Sequence, residues 1–182
     1  MSDDDARRLV VLRHAKSAWP EGVADHDRPL ADRGVRDAPE VGAWLHAAGL
    51  APDLVLCSDA VRTRETWELA AEQLGGIAAV PQYDERLYAA TADELLGVVR
   101  EAAPGTRTVL LVGHNPGVQD LVLTLAGAGD GGDDGGTGTT GQVRDKFPTS
   151  AIAVLRTDAL WADLAPRTAQ LTDFAVPRGP KG

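Results

Sequence analysis

Two arginines and two histidines stand where short apolar runs give way to polar residues. Arg13-His14 closes one run, Ser58 closes a second with Arg62 four residues on, and Gly113-His114-Asn115-Pro116 closes a third. A neutral imidazole is nucleophilic near neutral pH, and a hydrogen bond at its second nitrogen fixes the tautomer. Guanidinium forks grip phosphate oxygens in pairs, a role an ammonium fills less well. Singly, each residue has a plainer reading. A histidine near a strand end is commonly a structural donor, and Arg62 alone could be an exposed helix residue in an ion pair. Gathered at one edge, they concentrate positive charge that is costly to bury uncompensated. A dianionic phosphoryl group would relieve it.

Such a gathering requires elements that end at one place. Leu9–Leu12, Asp53–Cys57 and Thr108–Val112 are unbroken Leu- and β-branched runs, as expected of strands buried on both faces of a parallel sheet. Helical patterns lie between them. Ala60–Leu74 stops at Gly75-Gly76, and Thr91–Glu101 stops near Pro104-Gly105. Pro39 predicts a break, with a turn or short helical piece at Asp32–Arg36 and a helix from about Ala38 to Ala48 capped by Asp37. Ala151–Leu155 and Thr168–Ala175 read as late strands. Strands alternating with helices predict one α/β domain over 1–182, a three-layer α/β/α sandwich around a mainly parallel sheet. In such sheets ligands bind beyond the carboxyl ends of the strands, where all four residues fall.

The chain has 182 residues, 43% of them hydrophobic, and a formal charge of −9. That acidity argues against nucleic acid or an anionic membrane as partner. Asp3, Asp4 and Asp5, with Asp130, Asp133 and Asp134, supply six of the 27 acids, leaving 21 against 18 bases elsewhere, or −3. Residues 1–7 read as a flexible acidic tail and 177–182 as a C-terminal tail. Eight of the sixteen residues from Gly127 to Gln142 are glycine, predicting a flexible surface insertion. Gly127, Gly129 and Gly132 match G-x-G-x-x-G in letter, but no strand precedes them. With Cys57 as the single cysteine, neither an intrachain disulfide nor a Cys-rich zinc site can form. No leader or membrane-spanning run is evident, so the cytoplasm is the expected address.

Rival phosphoryl chemistries fit poorly. A Cys-x5-Arg loop would need arginine at position 63, which is Thr63. Asp25-His26-Asp27 follows a loop, not a strand. Neither a Walker A sequence nor a preorganised metal site is evident, so no metal or cofactor is expected. Cys57 reads as a buried strand residue, His26 and His46 as surface residues, and Trp44 and Trp67 as helix packing. Arg64 is expected to pair with Glu68. Trp19 lies close enough to the Arg13-His14 loop to line a pocket mouth.

In order along the chain stand Leu12-Arg13-His14-Ala15-Lys16-Ser17, Asp27-Arg28-Pro29-Leu30 with Asp32-Arg33-Gly34, and Ser58-x-x-x-Arg62-x-x-x-Thr66. Leu87-Tyr88, Val112-Gly113-His114-Asn115-Pro116-Gly117 and Lys146-x-Pro148-Thr149 follow. This series resembles the histidine phosphatase superfamily, the branch that includes phosphoglycerate mutase, and most of all its small SixA-type phosphohistidine phosphatases. The resemblance implies that His14 is the nucleophile, that Arg13 and Arg62 hold phosphate oxygens, and that His114, if protonated beside the anion, adds a further donor. Lys16, Ser17 and Asn115 are lesser candidates for the same pocket. Glu85 stands where mutase-like members carry a proton donor, and it reads equally as a surface carboxylate paired with Arg86. Ala15 in place of their glycine, and the lack of their long insertion, favour a phosphatase over a mutase. The implied substrate is a phosphohistidine-bearing protein of signalling or phosphotransfer. The alternatives are small phosphorylated molecules by the same mechanism, or a catalytically weak phosphate-binding module.

Overall fold

The computed structural model describes residues 6–127 and 138–181. Six strands form one sheet in the order β3-β2-β4-β1-β5-β6. They are β1 (Arg7–Arg13), β2 (Leu54–Ser58), β3 (Pro81–Asp84), β4 (Thr108–Gly113), β5 (Ile152–Thr157) and β6 (Gln170–Ala175). The first four run parallel; β5 is antiparallel to β1, and β6 to β5. At the centre Val10 sits opposite Leu110 on one side and Val154 on the other.

The unbroken apolar runs are explained by two cores. Leu9, Val11, Val109, Leu111, Ala153 and Leu155 enter one, beneath α3 (Ala92–Val99) and α4 (Gly117–Ala126). Val10, Leu12, Leu110, Val112, Ile152 and Val154 enter the other, with Val41 and Leu45 of α1 (Asp32–Ala47) and Trp67 and Ala70 of α2 (Val61–Glu72). Alternate side chains serve opposite faces, so a strand covered on both must be apolar throughout. The result is the expected three-layer α/β/α sandwich.

Several boundaries differ from expectation. Pro39 does not break α1, which is continuous from Asp32 to Ala47. Gly34 and Gly42 dock the helix before and after the proline, so closely that a Cβ would lie 2.1 Å from the Lys16 carbonyl oxygen and 1.9 Å from that of Ala70. Asp37 is no N-cap. Its buried carboxylate accepts from Gly179 N (2.9 Å), Arg178 (3.2 Å) and Arg33 (3.4 Å). These contacts hold the segment helical where one main-chain hydrogen bond is missing.

The same bonds tie part of the expected C-terminal tail onto α1. At the other end Ala6 is buried and Arg7 belongs to β1, so these two are not part of the tail expected over 1–7, whose other residues lie outside the described ones. Of the glycine-rich segment, 128–137 lie outside the described residues. Thr139–Gln142 belong to a helix, α5 (Thr139–Asp145), and not to a loop. Arg64 does not pair with Glu68: it donates to the Asp59 carbonyl (2.8 Å) and stacks 4.1 Å over Tyr83, whose hydroxyl donates to Glu68.

Candidate active site

Three parallel strands deliver the site at their carboxyl ends: His14 follows β1, Ser58 ends β2 and His114 follows β4. The loop after β1 is pinned from several sides. His14 N donates to Gly113 O, Ser150 N to the Arg13 and His14 carbonyls, and Ala15 N to Thr66 Oγ1 (3.0 Å). Thr66 in turn donates to Arg62 O (2.6 Å), so α2 both carries Arg62 and braces the His14 loop.

His14 Nδ1 lies 2.7 Å from the Ala15 carbonyl oxygen. A carbonyl only accepts, so Nδ1 carries the proton and Nε2 the lone pair. Burial pushes the His14 pKa down to about 3, aided by Arg62, Arg13 and Arg28 and opposed by the bond to Ala15. The ring is therefore neutral at physiological pH, with a lone pair on Nε2 that could attack an electrophile. His114 stands 5.2 Å away, centroid to centroid, with Nε2 2.8 Å from Ser58 Oγ and Nδ1 buried without a partner among the described residues. Burial, then His14 and Arg62, lower its pKa to about 3 as well. In the free site His114 is thus neutral, because the low-dielectric surroundings and the nearby guanidinium groups disfavour a further positive charge; the expected donor role concerns the state with an anion bound.

Around the two rings is a pocket of ≈ 230 Å³ whose walls include Arg13, Arg28, Arg62, Lys16 and Trp19. Arg13 donates to Phe147 O (2.9 Å) and keeps a buried Nε with no partner among the described residues. Arg62 donates to the Asp25 carbonyl (2.6 Å) and to Asp25 Oδ2 (3.1 Å). Arg28 is buried under the exposed Trp19 ring, 3.2 Å from its centroid, and donates to Asp25 Oδ1 (2.9 Å), Ala18 O and Ser17 Oγ (2.6 Å). Tyr88 donates to Asp25 Oδ2 (2.5 Å) and sets its ring edge-on to His114. Tyr88, then Arg28 and Arg62, hold the Asp25 carboxyl well below the usual range. Asp25 thus pairs with two of the pocket's three guanidinium groups, Arg28 and Arg62, and the pocket keeps an excess of positive charge suited to a phosphoryl dianion.

Arg13, His14, Arg62 and His114 come together as expected, and Lys16, Ser17 and Asn115 line the same pocket. Ser17 Oγ is committed to Arg28, and the Asn115 amide donates to Phe147 O (3.1 Å) and Gln119. Glu85 is exposed at the start of a 3-10 turn and is not among the pocket walls. Its expected ion pair is replaced: Arg86 binds Asp84 and Glu101 instead. Asp25, Arg28 and Tyr88 were not singled out as site residues, although Arg28 and Tyr88 lie within the quoted motifs. Their signal was weak because the 18–31 loop reaches the pocket only by folding over α2, through Asp25–Arg62, His26–Asp59 and Leu30–Glu65 contacts. Among the described residues no cluster of three or more His, Cys, Asp or Glu could hold a metal, and no helix is long and apolar enough to cross a membrane.

Comparison with known proteins agrees with this geometry. Residues 9–88 match the model of the histidine phosphatase superfamily (branch 1). An uncharacterized protein of Mycobacterium tuberculosis (strain H37Rv) is 46% identical over 167 residues, covering 92% of this chain and 100% of the relative. The SixA-type structure from Nakamurella multipartitia superposes with a TM-score of 0.81 at 36% identity, covering 94% of this chain and 96% of its own. That from Agrobacterium tumefaciens gives 0.76 at 29% identity, covering 94% and 98%. Kinship of this extent makes the chain a SixA-like member of the histidine phosphatase superfamily, branch 1.

Proposed function

We propose that this protein is a phosphatase that works through a phosphohistidine on His14, without a metal, and that it removes phosphoryl groups from phosphohistidine on a cytoplasmic signalling or phosphotransfer protein. The observation that carries the mechanism is the His14 ring. Its Nδ1–H is spent on Ala15 O, so the Nε2 lone pair is free in a pocket walled by three guanidinium groups. In the first step Nε2 forms a bond to phosphorus while the bond to the leaving group breaks, its electron pair going to that group. A phosphohistidine protonated on its second ring nitrogen leaves as neutral imidazole and needs no strong acid at the site. Water then attacks phosphorus, the P–Nε2 bond breaks with its pair returning to Nε2, and inorganic phosphate departs with the water protons shared with solvent. Arg13, Arg28 and Arg62 hold the equatorial oxygens, so catalysis rests on positioning and electrostatics.

Support for the substrate comes from the relatives and from the leaving group. The two SixA-type neighbours are named as phosphohistidine phosphatases. Glu85 stands outside the pocket walls, which suits a leaving group less demanding of an acid than an alkoxide. The test is to mix the protein with a labelled phosphodonor and quench it. The label should be acid-labile, alkali-stable and absent in His14→Ala. Turnover should favour phosphohistidine proteins over aryl and sugar phosphates in kcat/KM. Absence of both label and turnover refutes the mechanism, and equal kcat/KM across the panel refutes the substrate. A Glu85→Gln variant that loses ester but not phosphohistidine turnover would return that residue to the chemistry.

A further inference from the structure

The catalytic pocket does not end at Arg13. A second basin of ≈ 490 Å³ adjoins it, sharing Arg13, Lys16, Asn115 and Thr149 with the first and continuing along residues 145–149 to Arg33 and Arg178. Its floor is built, not incidental. Arg13 and the Asn115 amide both donate to Phe147 O, and Arg178 donates to Thr149 O (2.8 Å) while bonding the buried Asp37. Five cations line it: Arg13, Lys16, Arg33, Lys146 and Arg178, against Asp145 on the rim and Asp37 beneath. Five against two leaves three positive charges on a chain whose net charge is −9.

The partners of these cations decide what the basin can do. Asp37 takes Arg33 and Arg178, and Phe147 O takes one Arg13 donor. Lys16 and Lys146 are exposed and their ammonium groups bond no described residue, and Asn115 Oδ1 is buried without a partner among the described residues. Two ammonium groups beside a phosphoryl site, neither neutralised, form an anion subsite.

We propose that the substrate carries a second anionic group, a carboxylate or a phosphate, beyond the phosphoryl group that is transferred, and that this group seats on the Lys16 and Lys146 side of the adjoining basin. The proposal rests on the phosphatase reading above and adds a specificity determinant to it. An acidic side chain flanking a phosphohistidine and the second charge of a small molecule share this chemistry.

The experiment compares kcat/KM for four donors at fixed ionic strength. They are a phosphohistidine peptide with Asp/Glu flanks, the same peptide with Asn/Gln flanks, an aryl phosphate, and that aryl phosphate bearing a distal carboxylate. The wild type should favour the more acidic member of at least one pair by about fivefold, the upper end for one exposed ion pair. Lys146→Glu should abolish that preference while leaving the less acidic donors unchanged, and Lys146→Gln should fall between. A preference confined to the peptides assigns the anion to a protein side chain; one confined to the aryl pair assigns it to a small molecule. Equal kcat/KM within both pairs, or a preference that survives Lys146→Glu, overturns the proposal. Turnover of none of the four overturns the phosphatase reading on which it rests.

Discussion

Protonation of His14 is the perturbation that tests the site most directly, because a proton on Nε2 removes the attacking lone pair. The folded pocket lowers the His14 pKa from 6.5 to about 3 by burial and by Arg62, Arg13 and Arg28. At pH 5 an ordinary histidine would be ~3% free base and one with a pKa of about 3 would be ~99%, a difference of about 30-fold in competent enzyme. Since kcat/KM reports the free enzyme, its pH profile should stay flat from pH 7 down to about pH 4, once substrate ionisation is divided out. The assay is steady-state turnover in constant-ionic-strength buffers, with the ring carbon shifts of His14 followed by NMR in the ligand-free protein. An acid limb with a midpoint near 6.5 in both measurements would refute the reasoning. The same shift bears on stability. Both histidines bind protons more readily unfolded than folded, so their contribution is complete above about pH 6.5 and is lost as pH falls toward 3. Between pH 7 and pH 5 the unfolding free energy should fall by about 2 kcal/mol for each ring, with coupling between the two making the sum smaller.

Two substitutions test the framework around the site. Gly34→Ala would drive a methyl to 2.1 Å from the Lys16 carbonyl oxygen, on the loop that carries His14. It should cost about 1–3 kcal/mol in urea unfolding and lower kcat/KM, and unchanged activity would show that the α1 docking does not set the loop. Asp37→Ala removes the acceptor for Gly179 N, Arg178 and Arg33. Because the two arginines can turn to water, the expected loss is about 1.5–3 kcal/mol, the range for hydrogen bonds to a charged group, and earlier proteolysis after residue 176 should accompany it. An unchanged urea midpoint would show that the C-terminal segment does not brace α1.

Much of the molecule was legible from residue types alone. A strand covered on both faces must place apolar side chains on both, so β1, β2 and β4 announced themselves as unbroken runs, and the residues just after them were bound to meet at one sheet edge. That logic, with the resemblance, assembled Arg13, His14, Arg62 and His114. It did not reach β3, a four-residue edge strand of half-exposed and polar residues, or α5, whose start is written in Thr and Gly. Local rules also misread α1. Pro39 carries a real helix penalty, but Gly34, Gly42 and Asp37 outweigh it through contacts with Lys16, Ala70 and Gly179, none of them near in sequence. Only the tertiary structure decided the electrostatics: which nitrogen of His14 keeps its lone pair, why His114 is neutral, and how Asp25 comes to bridge Arg28, Arg62 and Tyr88. Residue types set which charges are available. Burial and distance set their pKa values and partners, and the long-range contacts behind them join segments 37 to 134 residues apart along the chain.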